Sequence, residues 1–321
     1  MPVQMLPVLI TIDTEYSAGL YAHDDVTDAA DNFDRAIACR SSNGEAGIFY
    51  QMDVFDRCGV KAVFFVDPMP ALVWGQAAVD AMVQPIIERG HEVQLHCHTE
   101  WLEFAENSLL PGRIGLNMKD FTEGEQHTLL EWGLDRIEQA GAPRPTAFRA
   151  GNYGANDDTL RALARLSLKW DSSFAAGDFV SPCEISLPQG DCRPVMHCGI
   201  HEFPAGAIET RDSQRHAQLT ALSFVEMRDA IVHAVQEDWL GFCLVSHSFE
   251  LYGRDTQQPN ALLCHRFESL CEWLGSSEDA FGAGFNDLDV TIAGPELPLL
   301  PHRYTRTGIR MVEQLAANTI F

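Results

Sequence analysis

Two pairs of residues stand out for the chemistry their types and spacing allow. Asp13 and Glu15 lie in Ile10-Thr11-Ile12-Asp13-Thr14-Glu15, and His96 and His98 in Leu95-His96-Cys97-His98-Thr99-Glu100. A spacing of two in an extended segment sets both side chains on one face. Two clustered acids repel unless a cation or a proton lies between them. Imidazole with carboxylate is a usual donor set for a divalent catalytic metal that keeps an open water position. A further carboxylate can then act as base and a further histidine as acid, enough for metal-assisted hydrolysis. Arg149, Asp171 and His247 join the set because each closes an apolar run, in Phe148-Arg149, Trp170-Asp171 and Leu244-Val245-Ser246-His247. Taken singly they have plainer readings: Asp13 as a cap or turn residue, Arg149 as a partner for surplus acid, His247 as a satisfied core histidine. Their shared position at the ends of successive runs is what points to a site. Cys97, flanked by two histidines, offers a thiol nucleophile as a rival chemistry.

Such residues need elements that deliver them to one place. Apolar, β-rich runs at 8–13, 61–66, 91–96, 146–149, 168–172, 201–204, 241–247 and 287–292 predict strands. Helical spacing covers 48–58, 74–89, 122–140, 157–166, 223–237, 262–274 and 307–317. Strand-then-helix repetition implies a mostly parallel sheet covered by helices, open or closed into a barrel. In either form the chemistry collects at the carboxyl ends of the strands, where these residues fall. Segments 16–47, 102–121 and 177–200 read as loops of the length typical of functional lids. With no repeat or linker to divide it, the chain 1–321 is expected to form a single domain.

Bulk properties narrow the function. A formal charge of −24 and a pI near 4.7 oppose nucleic acid and anionic lipid. Nine scattered cysteines without a CxxC read as reduced thiols in a cytoplasmic protein. The N-terminal residues lack a basic leader, and no apolar run approaches the ~18 residues of a transmembrane segment. Oligomeric state has no signature in the sequence.

At the quoted residues the sequence resembles the polysaccharide deacetylase family (carbohydrate esterase family four, the NodB-type homology domain). Thr11-Ile12-Asp13-Thr14-Glu15 is similar to the family's Thr-Phe-Asp-Asp-Gly, in which the first Asp is the general base and the second a metal ligand. The resemblance implies Asp13 as base and, with the ligand carboxylate one residue later than usual, Glu15 as metal-binding acid. Gly90-His91-Glu92-Val93-Gln94-Leu95-His96 matches the approach to the second motif, but the histidine expected four residues on is Glu100. His98, able to face the same way as His96, is the expected third ligand, with Glu100 as substitute if the segment turns. Phe148-Arg149-Ala150-Gly151-Asn152-Tyr153-Gly154 is similar to Phe-Arg-Pro-Pro-Tyr-Gly, whose arginine orients the base. Trp170-Asp171-Ser172-Ser173 resembles Tyr-Asp-Ser-Ser, whose Asp supports the acid, and Leu244-Val245-Ser246-His247 fits Leu-x-x-His, whose histidine protonates the leaving amine.

The resemblance runs in the family's order from about residue 8 to about residue 293. It implies an α/β fold, a distorted (β/α) barrel of about seven parallel strands surrounded by helices. Further implied are a divalent metal, zinc being expected, on Glu15, His96 and His98, and a catalytic set of Asp13, His247, Arg149 and Asp171 with an oxyanion donor near Asn152 or Tyr153. The activity implied is removal of an N-acetyl or other small N-acyl group from a sugar or glycan intermediate. A catalytically silent carbohydrate-binding homologue and a thiol-dependent hydrolase using Cys97 are the alternatives.

Overall fold

The first apolar run, Leu6–Thr14 (β1), is buried along its whole length except at Pro7. Burial on both faces belongs to the middle of a parallel sheet with cover on each side. In this computed structural model, which describes residues 5–23, 26–175, 181–188, 190, 192–253, 256–288 and 298–320, that is where β1 sits. The strands that follow are Val63–Val66 (β2), Glu92–Cys97 (β3), Ala147–Ala150 (β4), Trp170–Asp171 (β5), Val195–His197 (β6), Ile200–Glu202 (β7), Phe242–His247 (β8) and Ala280–Gly282 (β9). They are ordered β8-β1-β2-β3-β4-β5-β7-β6. From β8 to β7 all neighbours are parallel, which makes the seven parallel strands expected, and β6 folds back antiparallel on β7.

The seam between β7 and β8 is spanned by backbone hydrogen bonds from the intervening segment. Gly206 N–H donates to Cys243 O (2.9 Å), Val245 N–H to Ala217 O (2.9 Å) and Leu219 N–H to Val245 O (3.0 Å). This segment thus bridges the two ends of the parallel sheet, with helices packed around it, among them Ile48–Cys58, Gln76–Glu88, Glu123–Gln139, Asp157–Arg165, Phe224–Gln236 and Ala261–Gly275. Their ends follow local chemistry: Thr122 and Glu125 form a capping box, a cap worth about 1 kcal/mol. Gly59, at φ 66°, closes the helix before it in the left-handed conformation.

Differences from the sequence reading fall on short elements. The expected helix 74–89 breaks at Gly75 into Ala71–Trp74 and Gln76–Glu88. Segment 16–47 holds helices Ala18–His23 and Ala29–Ala36 and a small hairpin of Arg40–Ser41 with Gly44–Glu45, pieces too short to show a period. The strand expected at 287–292 is displaced. Phe285–Asp287 is a 3-10 turn, tied to the Glu92 carboxylate by the N–H groups of Phe285 and Asn286. The chain pairs with β1 earlier instead, through β9 against Leu6–Val8, on the side of β1 away from β8. Residues 289–292 of that expected strand, and 177–180 of the third expected loop, lie outside the described residues. Among the described residues no helix is long and apolar enough to cross a membrane.

Candidate active site and metal centre

Strand register assembles the polar residues. Asp13 is opposite His247, His96 opposite Arg149, and Asp171 opposite both Phe148 and Glu202. Asp13, His96, Arg149, Asp171 and Glu202 are all buried. At this end of the sheet opens a cleft of about 1250 Å³ lined in part by Asp13, Glu15, His96, His98, Asn152 and His247.

Glu15, His96 and His98 converge on one point. Glu15 Oε2 lies 3.1 Å from His96 Nε2 and 2.5 Å from His98 Nε2. The other nitrogen of each ring faces outward to an acceptor. His96 Nδ1 is 2.7 Å from Arg149 O, and His98 Nδ1 is 3.2 Å from Glu100 Oε2. An Nδ1–H donated outward leaves Nε2 to bind a cation, the usual support of a metal-binding histidine. The chain enters the 3-10 turn Thr99–Glu103 directly after His98. That turn sets Glu100 against the Nδ1 side of His98, away from the Nε2 that meets Glu15.

The donor set also fits a cation electrostatically. Asp67, a lone acid just past β2, is fully buried behind the triad. Its Oδ1 accepts the Met69 N–H at 2.9 Å, while its Oδ2 has no hydrogen-bond partner. Burial pushes this carboxyl up to about 7, against the pull of His98 and His96. A buried acid with an orphaned oxygen beside a second acid, Glu15, calls for a balancing positive charge. Two imidazoles and a carboxylate suit a divalent ion.

Close packing fixes the third donor. A Cβ on Gly151 would lie 2.8 Å from Cys97 O and 2.8 Å from His98 Cγ. Gly151→Ala is therefore expected to displace the His98 ring and weaken zinc uptake by about 10- to 100-fold, the range seen when a ligand's support is lost. Competition against a chromogenic chelator measures it; unchanged affinity would mean that His98 does not depend on this contact. The two following residues, Asn152 and Tyr153, both adopt left-handed backbone (φ 55° and 56°) on the cleft wall. Non-glycine residues held there cost about 1–3 kcal/mol each, a cost typical of functional sites.

Beside the triad, Asp13 faces His247. Asp13 Oδ1 accepts from Arg149 Nη1 at 2.6 Å. The buried guanidinium is held by Thr11 Oγ1 (2.9 Å) and Ser172 O (3.2 Å) and lies 4.3 Å over the Phe65 ring. Asp13 Oδ2 is 3.8 Å from His247 Nε2. Burial disfavours a charge on His247, but the hydrogen bond and charge of Glu250, aided by Asp13 and Glu15, outweigh it and push the ring up to about 9.

Here one expectation is corrected. The carboxylate on His247 Nδ1 is Glu250, at 2.8 Å, and not Asp171. Asp171 instead accepts from Ser173 N–H (2.9 Å) and Ser173 Oγ (2.8 Å), and its carboxyl is hydrogen-bonded to that of Glu202 in the facing strand. Burial raises both acids, as expected where two carboxyls in an apolar setting share a proton. Glu250 is itself held by Gln218 and Ser246. Its signal in the sequence was an acid one turn after His247. Cys97 points into the apolar core, where burial raises its thiol well above the usual range, and it does not line the cleft. The thiol alternative loses its nucleophile.

No family model matches the sequence, and no curated protein matches it. Solved structures do share the fold. A Mycobacterium smegmatis protein described as a polysaccharide deacetylase superposes with a TM-score of 0.51 at 17% identity, over 92% of this chain and 97% of its own. A 4-alpha-glucanotransferase from Thermococcus litoralis gives 0.57 at 10% identity, over 93% of this chain and 42% of its own. The alpha-amylase AmyC from Thermotoga maritima gives 0.51 at 10%, over 96% and 79%. The chain has the fold of the polysaccharide deacetylases. Since enzymes with other printed activities share the architecture, the chemistry must be argued from the site.

Proposed function

We propose that this chain is a metal-dependent hydrolase that removes an N-acetyl or other small N-acyl group from a sugar or glycan intermediate. The observation that carries the reading is the meeting of Glu15, His96 and His98, whose ligand atoms lie within 4.8 Å of one another with both imidazoles at hydrogen-bond distance from Glu15, beside an Asp13–His247 pair in the same cleft. Glu15, His96 and His98 would hold the cation, zinc by the character of the donors, which when bound polarises the acyl oxygen and acidifies a water. Asp13 takes the proton of the attacking water through Oδ2, the oxygen Arg149 leaves open. Arg149 orients the carboxylate and balances its charge. A backbone N–H at Asn152 or Tyr153 assists the developing oxyanion. His247, charged through Glu250, hands its proton to the departing nitrogen, leaving a carboxylic acid and a free amine. Nine scattered cysteines without a CxxC accord with a reducing, cytoplasmic setting, and so with a biosynthetic intermediate over an extracellular polymer.

The test is release of acetate or formate from N-acyl sugars, sugar nucleotides and short N-acetylglucosamine oligomers. Turnover is expected to stop on chelation and return with zinc. Turnover indifferent to chelator would overturn the reading, and stoichiometric metal without turnover on any N-acyl sugar would favour a carbohydrate-binding role.

The role of Glu250 has its own signature. His247 must be protonated to act, so kcat should fall as pH rises through about 9. Glu250→Gln removes the principal favourable partner, and the alkaline limb should move down toward the ordinary histidine range of about 6.5. Asp171→Asn should leave that limb in place. A kcat–pH profile in which Asp171→Asn moves the limb and Glu250→Gln does not would reverse the assignment.

A further inference from the structure

A second cluster of metal-binding side chains lies outside the cleft, where the first turn of helix Asp157–Arg165 meets the β6–β7 hairpin. The ligand atoms of Asp157, His197 and Cys198 all lie within 4.8 Å of one another. His197 Nε2 is 3.1 Å from Asp157 Oδ1, and Ser186 donates its N–H to Asp157 Oδ1 at 2.9 Å and its hydroxyl to Oδ2 at 2.6 Å. Three segments distant in sequence therefore meet at one carboxylate.

The hairpin places the thiol. His197 pairs with Ile200, leaving Cys198-Gly199 as a two-residue turn with φ of 47° and 89°. Two positive φ values are the mark of a turn that Asn and Gly ordinarily fill. A cysteine at the first of these positions brings its sulfur to the helix, 3.6 Å from Arg161 Nη1. Arg161 is itself paired with Asp158 and Glu123, so its charge is already balanced, and the −24 net charge favours cation approach.

We propose that Asp157, His197 and Cys198 form a second divalent-cation site, selective for zinc, that staples the helix at 157–165 to the β6–β7 hairpin. Thiolate, imidazole and carboxylate together match a borderline-soft ion. On binding, the Cys198 thiol loses its proton to solvent and the sulfur donates to the ion, with no change of oxidation state. Part exposure of all three groups leaves room for a solvent ligand.

Cobalt(II) is the probe, because a thiolate ligand gives a near-ultraviolet charge-transfer band and the Glu15, His96, His98 centre has no sulfur. The His96→Ala protein, stripped and titrated with cobalt(II), is expected to bind about one equivalent and to develop the band. Adding Cys198→Ser to it should abolish both. Zinc should raise the thermal midpoint of His96→Ala but not of the double variant. Cys198→Ser alone should keep deacylase activity. Absence of cobalt uptake by His96→Ala, or survival of the band in Cys198→Ser, overturns the proposal. It stands apart from the catalytic reading: a chain without metal-dependent turnover would still show a Cys198-dependent band.

Discussion

Asp13→Asn should lower kcat on the best N-acyl sugar by about 10²- to 10⁴-fold, the usual contribution of a positioned general base, while bound metal measured by elemental analysis stays at the wild-type level. The substitution keeps the shape and one acceptor for Arg149 Nη1, now 2.6 Å from Oδ1, but removes the basic site on Oδ2 that faces His247. Because Asp13 is not in the Glu15, His96, His98 cluster, metal retention and loss of turnover should separate. Arg149 is fully buried, and removing one partner of a buried ion pair outright costs about 3–5 kcal/mol. The asparagine, which still accepts a hydrogen bond, should cost less, and circular dichroism with a thermal melt checks that the variant remains folded. A folded Asp13→Asn enzyme with full activity would remove Asp13 from the role of base.

His96→Ala should behave differently, losing turnover and catalytic-centre metal together. The ring is buried, its Nδ1 set against Arg149 O and its Nε2 against Glu15. Deleting it takes away one of three donors and the group that separates Glu15 from the buried backbone. Since loss of mere supporting contacts lowers metal affinity about 10- to 100-fold, loss of a donor should exceed that. Calorimetric zinc titration and the deacylase assay read the two effects. The adjacent Cys97→Ser is the control: its side chain lies on the other face of β3, in the core, so activity should change little provided the fold survives. Near-complete inactivation of folded Cys97→Ser, or normal metal and turnover in His96→Ala, would show the strand geometry to be misread.

How much of this is legible in the sequence depends on the range of the interaction. β1, β2, β3 and β8 and the helices at 48–58, 123–139 and 224–236 were readable because long apolar runs and capped periodic segments express their state locally. The displaced last strand was not. Segment 280–282 is three residues long, and its pairing depends on Glu92 holding the 285–287 turn from another part of the chain. Asp67 gave no sign, being a lone acid at a strand end whose importance comes from burial beside two histidines.

Within the site the same division holds. Which faces Asp13, Glu15, His96 and His98 share follows from their spacing, because side chains in extended backbone alternate with period two whatever they pair with. The sequence also determines that Arg149 and His247 close strands. Tertiary structure alone decided the partners: Glu250 instead of Asp171 on His247, Glu100 on the Nδ1 side of His98, and Gly151 as the floor on which that ring rests. Those choices follow from register between strands far apart in the chain and from close packing, where a shift of one residue turns a side chain to the opposite face.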